Sequence, residues 1–112
     1  TGGRRGLAEA ASRGAVLSGG VTLGILPGPR RSEANPYVTV AVPTGLGETR
    51  NALVVMGADA VIALPGAYGT LSEVAHALLA GTRVVTLGDG WAIAGCLPTA
   101  TPDEAVDAAL AG

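Results

Sequence analysis

The chain has 112 residues, 48% of them hydrophobic and only 14% charged, so it is sized for one domain and too apolar to be disordered. A formal net charge of -2 and 3% aromatic residues argue against a nucleic-acid surface. Its seven basic residues are all arginine, which excludes a lysine Schiff base and a phosphate loop ending in Gly-Lys-Ser/Thr.

A lone cysteine, Cys96, allows no internal disulfide, and no apolar run approaches the roughly 20 residues of a membrane span. The expectation is a cytoplasmic protein that engages neither membrane nor nucleic acid. The chain opens on Thr1 without a charged-then-apolar leader, so residues 1–112 are expected to form a single domain whose beginning lies upstream.

Residues 6–17 carry Leu7, Ala10, Ala11 and Ala15 at helical spacing and end at Gly19-Gly20, which predicts a helix. Residues 21–26 form a continuous apolar run stopped by Pro27-Gly28-Pro29, the pattern of a strand covered on both faces. A polar loop over 30–35 leads to a second strand over 36–42. Leu46, Leu53 and Met56 mark a helix over 46–56, and residues 60–64 a third buried strand. After the turn 65–69, Leu71, Val74, Ala75, Leu78 and Leu79 predict a helix ending before Gly81. Residues 83–87 give a fourth strand, and Pro102-Asp103-Glu104 opens a terminal helix through Leu110. Trp91 and Cys96 fall in the loop between these last two elements and read as packing residues. Alternating strands and helices with glycine or proline at the junctions predict an α/β fold with a doubly wound parallel sheet.

Such sheets bind ligands outside the carboxyl ends of their strands. Three junctions here are glycine-rich: Thr1-Gly2-Gly3-Arg4-Arg5-Gly6, Pro43-Thr44-Gly45-Leu46-Gly47-Glu48-Thr49-Arg50, and Pro65-Gly66-Ala67-Tyr68-Gly69-Thr70-Leu71-Ser72-Glu73. Backbone N–H groups at helix starts suit a phosphate, which supplies charge and acceptor oxygens together. The candidate ligand-binding residues are therefore Gly2, Gly3, Gly45, Gly66, Ala67, Tyr68, Gly69 and Thr70. His76 has no ligand set at metal spacing around it and reads as a surface residue, so no metal site is expected.

The third junction, Pro65-Gly66-Ala67-Tyr68-Gly69-Thr70 with Glu73, resembles the Pro-Gly-Gly-x-Gly-Thr-x-x-Glu signature of the Lonely Guy family of cytokinin-activating phosphoribohydrolases and its relatives. Those relatives include Rossmann-like proteins labelled lysine decarboxylases and the molybdenum cofactor carrier proteins. Thr1-Gly2-Gly3 with Gly6-Leu7 resembles the family's first glycine loop, and Glu48-Thr49-Arg50-Asn51 its Glu-Arg-bearing helix start. The stretches 33–37 and 68–73 are closer in wording to the carrier-like branch. Ala67 replaces the signature's second glycine, Asn51 a frequent lysine, and the family's first strand is absent from this chain.

The resemblance implies a Rossmann-like sheet lacking its N-terminal strand, in which the glycine turn holds phosphate while Arg50 and Glu73 face the sugar. It implies a small phosphorylated ligand, with no cofactor required for turnover. One form is hydrolysis of a nucleoside 5′-monophosphate to base and ribose 5-phosphate, with Arg50 and Glu73 catalytic; lysine decarboxylation is excluded. The alternative is a non-catalytic carrier of a phosphorylated pterin, the molybdenum cofactor. The residues also admit plainer readings: Thr70-Leu71-Ser72-Glu73 is a helix capping box with Thr70 as N-cap, and Arg50 a solvated arginine. The low charge and apolar helices such as 52–56 and 74–79 predict a homo-oligomer with helix faces at its interface.

Overall fold

The structure, a computed structural model, describes residues 1–89 and 92–111. The chain divides into two compact units, Thr1–Val54 and Val55–Gly112, each with its own parallel sheet.

The first unit holds α1 (Leu7–Leu17), β1 (Leu23–Leu26) and β2 (Val40–Pro43), and α2 (Arg50–Met56) begins in it. β1 and β2 pair in parallel from Leu23 opposite Val40 to Leu26 opposite Pro43. Both strands start later than their apolar runs suggest, and ahead of them side-chain bonds join the backbone bonds to Thr22 O. Thr22 Oγ1 donates to Tyr37 O at 2.6 Å and accepts from Thr39 N–H at 2.8 Å, while Thr39 Oγ1 accepts from Thr22 N–H at 3.0 Å. Asn35 then curls the chain, its Oδ1 taking the Tyr37 amide at 3.0 Å. The expectation that residues 21–26 are covered on both faces is corrected: Leu26 is fully buried, but Val21 and Leu23 are exposed.

Two helical faces also differ from the apolar pattern. In α1 the buried position is Ser12, with Ala8 and Ala15 half-buried beside it, while Leu7, Ala10 and Ala11 are exposed. The inward face of the helix is thus set by Ala8, Ser12 and Ala15 rather than by its leucines. The stretch expected as one helix over 46–56 breaks in two: Gly45 and Gly47 take left-handed φ values of 66° and 60°, a 3-10 turn covers Gly47–Thr49, and α2 starts at Arg50. Asn51 and Val55 are buried there, whereas Leu46, Leu53 and Met56 are exposed.

The second unit contains β3 (Ala60–Ala63), α3 (Tyr68–Leu79), β4 (Arg83–Leu87), β5 (Leu97–Thr99) and α4 (Pro102–Leu110). Its sheet runs β3-β4-β5, all parallel. Among its described residues, Val55 of α2, Val74 and Ala77 of α3, Val84 and Val85 of β4, and Ala105 of α4 are the buried apolar ones. Each buried valine contributes roughly 1.5–3 kcal/mol relative to exposure. β3 is only half-buried, with Ile62 exposed, where a fully buried strand was expected.

β5 is a fifth strand where a loop was expected. Three residues containing Pro98 give no strand pattern, but an edge position needs no donor from proline on its open side. Thr99 Oγ1 fixes the strand by donating to Thr86 O at 2.8 Å. α4 is capped as its sequence dictates: Thr101 Oγ1 accepts from Glu104 N–H, and Glu104 Oε2 accepts from Ala100 N–H, each at 3.2 Å. No helix among the described residues is long and apolar enough to cross a membrane.

Candidate functional site

The first glycine junction is built by close backbone approach. Residue 1 runs beside β1, donating to Leu23 O at 3.0 Å and accepting from Ile25 N–H at 2.9 Å. Gly3 follows with φ 71°, and a Cβ there would lie 3.0 Å from Gly24 Cα, so only glycine lets the two backbones meet. Buried Asn35 clamps the loop from the other side. Its N–H donates to Gly3 O and its Nδ2 to Arg4 O, both at 2.8 Å. Asn35 is an organising residue that sequence reasoning noted only as part of a family stretch. The Asn-Pro pair, with its bias to a side-chain-supported turn, was the available signal.

Arg50 is the distinctive group of this unit. Its guanidinium lies on the backbone of Gly2, where a Cβ would come within 2.6 Å of Nη1. Its Nε is buried and finds no acceptor among the described residues. Neighbouring Glu48 does not neutralise it; that carboxylate accepts from Asn51 Nδ2 at 3.2 Å. A buried guanidinium N–H without an acceptor carries a desolvation cost that an anion would relieve.

The second junction behaves differently. Thr44 N–H donates to Leu26 O, Gly45 N–H to Gly28 O, Leu46 N–H to Thr44 Oγ1 and Gly47 N–H to Pro27 O. These amides are occupied, so the expected row of free donors is not found at Gly45, and the junction acts as a brace for the loop after β1.

In the second unit, the turn after β3 delivers Gly66 and Ala67 to the start of α3. Gly66 is required by crowding: a Cβ would collide with Thr70 Oγ1. Ala67 is the N-cap in extended conformation, φ -111° and ψ -150°, which any residue adopts, so losing the signature's second glycine costs the backbone nothing. Because alanine offers no capping oxygen, no acceptor among the described residues takes the amides of Gly69 and Thr70. The capping-box reading with Thr70 as N-cap is corrected here: α3 begins earlier, and Thr70 is its third residue. Glu73 stands half-buried one turn on, Tyr68 is 80% exposed and His76 is exposed. Beside this turn, at the carboxyl ends of β3 and β4, an apolar cleft is lined by Leu64, Pro65, Thr70, Val74, Leu87 and Ile93.

Burial pushes the Cys96 thiol up from its usual range, the opposite of what a nucleophile needs. Trp91 lies outside the described residues. No group of three or more His, Cys, Asp or Glu able to hold a metal occurs among the described residues.

Parallel strands, helices between them and glycine turns at the strand ends place the molecule in the Rossmann-like α/β class. The chain belongs to the SLOG cluster4 family, a branch of the Lonely Guy-like superfamily, whose model matches residues 1–109. It is similar to the molybdenum cofactor binding protein from the phototrophic bacterium Rippkaea orientalis, with a TM-score of 0.89 and 36% identity over 96% of this chain and 72% of that one. It is also similar to the X-ray structure of TM1055, with a TM-score of 0.85 and 33% identity over 95% of this chain and 73% of that one. An uncharacterized protein of Archaeoglobus fulgidus is 39% identical over 95% of this chain and 70% of its own length. Against these neighbours, the parallel sheets are consistent with a Rossmann-like parallel sheet lacking one strand.

Proposed function

We propose that the chain binds a small phosphorylated, nucleotide-like ligand whose phosphate is held by charge at Arg50. The observation that carries this reading is Arg50, seated on Gly2 with a buried Nε that no described residue accepts from. In the second unit, taken by itself, the amides of Gly69 and Thr70 find no acceptor among the described residues, which suits an anion at that turn. Family membership supports a ligand of this general kind. The chemistry of the site residues fits the phosphate of a nucleotide or of a phosphorylated pterin equally well.

The finer readings divide on Glu73. As a hydrolase, the protein would cleave the N-glycosidic bond of a nucleoside 5′-monophosphate. Water adds to C1′ and the C–N bond breaks, with the base leaving protonated and Glu73 orienting the water and balancing the positive sugar centre. As a carrier, it would hold a phosphorylated pterin cofactor without reaction; the similarity to a molybdenum cofactor binding protein favours this second reading. That cofactor would supply redox chemistry to a recipient protein, and Arg50 would hold its phosphate.

The test is calorimetric titration of the purified chain with 5′-AMP and with adenosine. Binding of AMP but not adenosine, lost in Arg50→Ala, supports the reading; equal binding of both removes it. Incubating each of a panel of nucleoside monophosphates with the protein and measuring free base then separates hydrolase from carrier.

A further inference from the structure

Charge is unevenly distributed along this chain. Arg4, Arg5, Arg13, Arg30, Arg31 and Arg50, six of the seven arginines, fall in Thr1–Val54, against three carboxylates, Glu9, Glu33 and Glu48. Arg5 is paired, its Nη1 lying 3.5 Å from Glu9 Oε1, and Glu48 is held by Asn51. Arg30 and Arg31 are exposed and have no carboxylate partner among the described residues.

Their position is specific. They follow β1, the strand reached after the first glycine loop and α1, at its carboxyl end. A tight 3-10 turn over Arg31–Glu33 orders them, with Glu33 N–H donating to Arg30 O and Ala34 N–H to Arg31 O. Asn35, immediately after, ties this loop to Gly3 and Arg4 of the glycine loop. In dinucleotide folds the corresponding strand end, about 20 residues past the glycines, carries an acid for a free ribose 2′-hydroxyl or an arginine for a ribose phosphate. Here the strand ends on buried Leu26 followed by Pro27-Gly28-Pro29, none of them charged, and the arginines come next with Ser32 beside them.

We infer that Arg30, Arg31 and Ser32 form a second anion site, for a phosphomonoester carried on the ribose of the ligand, at the 2′ or 3′ position. The inference rests on the nucleotide-binding reading above and narrows it to nucleotides bearing two separate phosphates. Arginine forks supply paired donors matched to a phosphate face, and the Ser32 hydroxyl supplies another. Glu33 is the opposing charge of the loop, folded so closely on Gly28 that a Cβ there would collide with its carboxylate.

The experiment titrates the intact chain with 5′-AMP, adenosine 2′,5′-bisphosphate and adenosine 3′,5′-bisphosphate at fixed ionic strength. One bisphosphate should bind roughly tenfold or more tighter than AMP, the scale of a charge-assisted contact; which one identifies the ribose position. An Arg30→Gln, Arg31→Gln double variant should erase that advantage and leave AMP affinity in place. Glu33→Gln should enlarge it. All three positions are exposed, and melting curves verify that the variants fold. Equal binding of AMP and both bisphosphates, or an advantage that survives in the double variant, overturns the second site while leaving the first intact. Failure of every nucleotide to bind overturns both.

Discussion

Replacing Gly2 by alanine separates ligand binding from folding in this protein. Gly2 does not occupy the left-handed region, so alanine meets no backbone strain there. Its Cβ would lie 2.6 Å from Arg50 Nη1 and 3.0 Å from Cζ and Nη2, all at the far end of a flexible side chain. Contact distances of about 3.5–4.0 Å then require the guanidinium to retreat by roughly 1 Å, enough to spoil a hydrogen bond to a bound anion. A charge-assisted hydrogen bond contributes about 1.5–3 kcal/mol, so affinity for 5′-AMP should fall roughly 10- to 150-fold with little change in melting temperature. Gly3→Ala is the contrast: φ 71° and a Gly24 Cα 3.0 Å from the new Cβ place the obstacle in backbone, and stability should drop by about 2 kcal/mol or more. Calorimetry and thermal melting of both variants read the two effects separately. A folded Gly2→Ala protein that binds AMP like the parent would refute the placing of Arg50 against the ligand.

Three other substitutions or measurements probe the rest. Glu73→Gln should retain AMP binding, and if the protein is a hydrolase it should slow base release by roughly 10²-fold or more; unchanged turnover would remove Glu73 from the chemistry. Ser12 Oγ is buried with no partner among the described residues, so Ser12→Ala should leave stability unchanged or raise it by about 1 kcal/mol; a loss of that size in urea unfolding would reveal a partner for the hydroxyl. Met56 and Leu79, 70% and 86% exposed, lie on the helices proposed for a homo-oligomer interface. Light scattering should find an assembly larger than one chain that dissociates in Met56→Glu or Leu79→Glu, and a monomeric parent at micromolar concentration would contradict this.

Strands whose apolar residues were β-branched and continuous were legible: residues 83–87 form β4 as read. β5 was hidden because its stability comes from pairing with Val85, Thr86 and Leu87, a tertiary fact with no local signature in Leu97-Pro98-Thr99. The helical faces misled where small or polar residues do the packing. Ser12 and Asn51 are buried while Leu7, Leu53 and Met56 are not, and periodicity of apolar residues cannot anticipate that inversion. At the candidate site the glycine turns stood out in the sequence, but their state of hydrogen bonding did not. Thr44 to Gly47 look as able to receive an anion as Gly66 to Thr70, and only the fold shows the first set spent on Leu26, Pro27 and Gly28 and on Thr44 itself. Arg50 was marked by family resemblance; that its Nε is buried without an acceptor, and that its guanidinium lies on Gly2, distant in sequence, only the fold shows.

The Nε–H of Arg50 gives a resonance of its own in a 15N-resolved NMR spectrum, and following it during titration with 5′-AMP addresses the central claim directly. Phosphate binding at this arginine predicts a saturable downfield shift of the Nε–H proton, and no such shift with adenosine. AMP binding that leaves the Arg50 Nε–H signal unmoved would contradict the account.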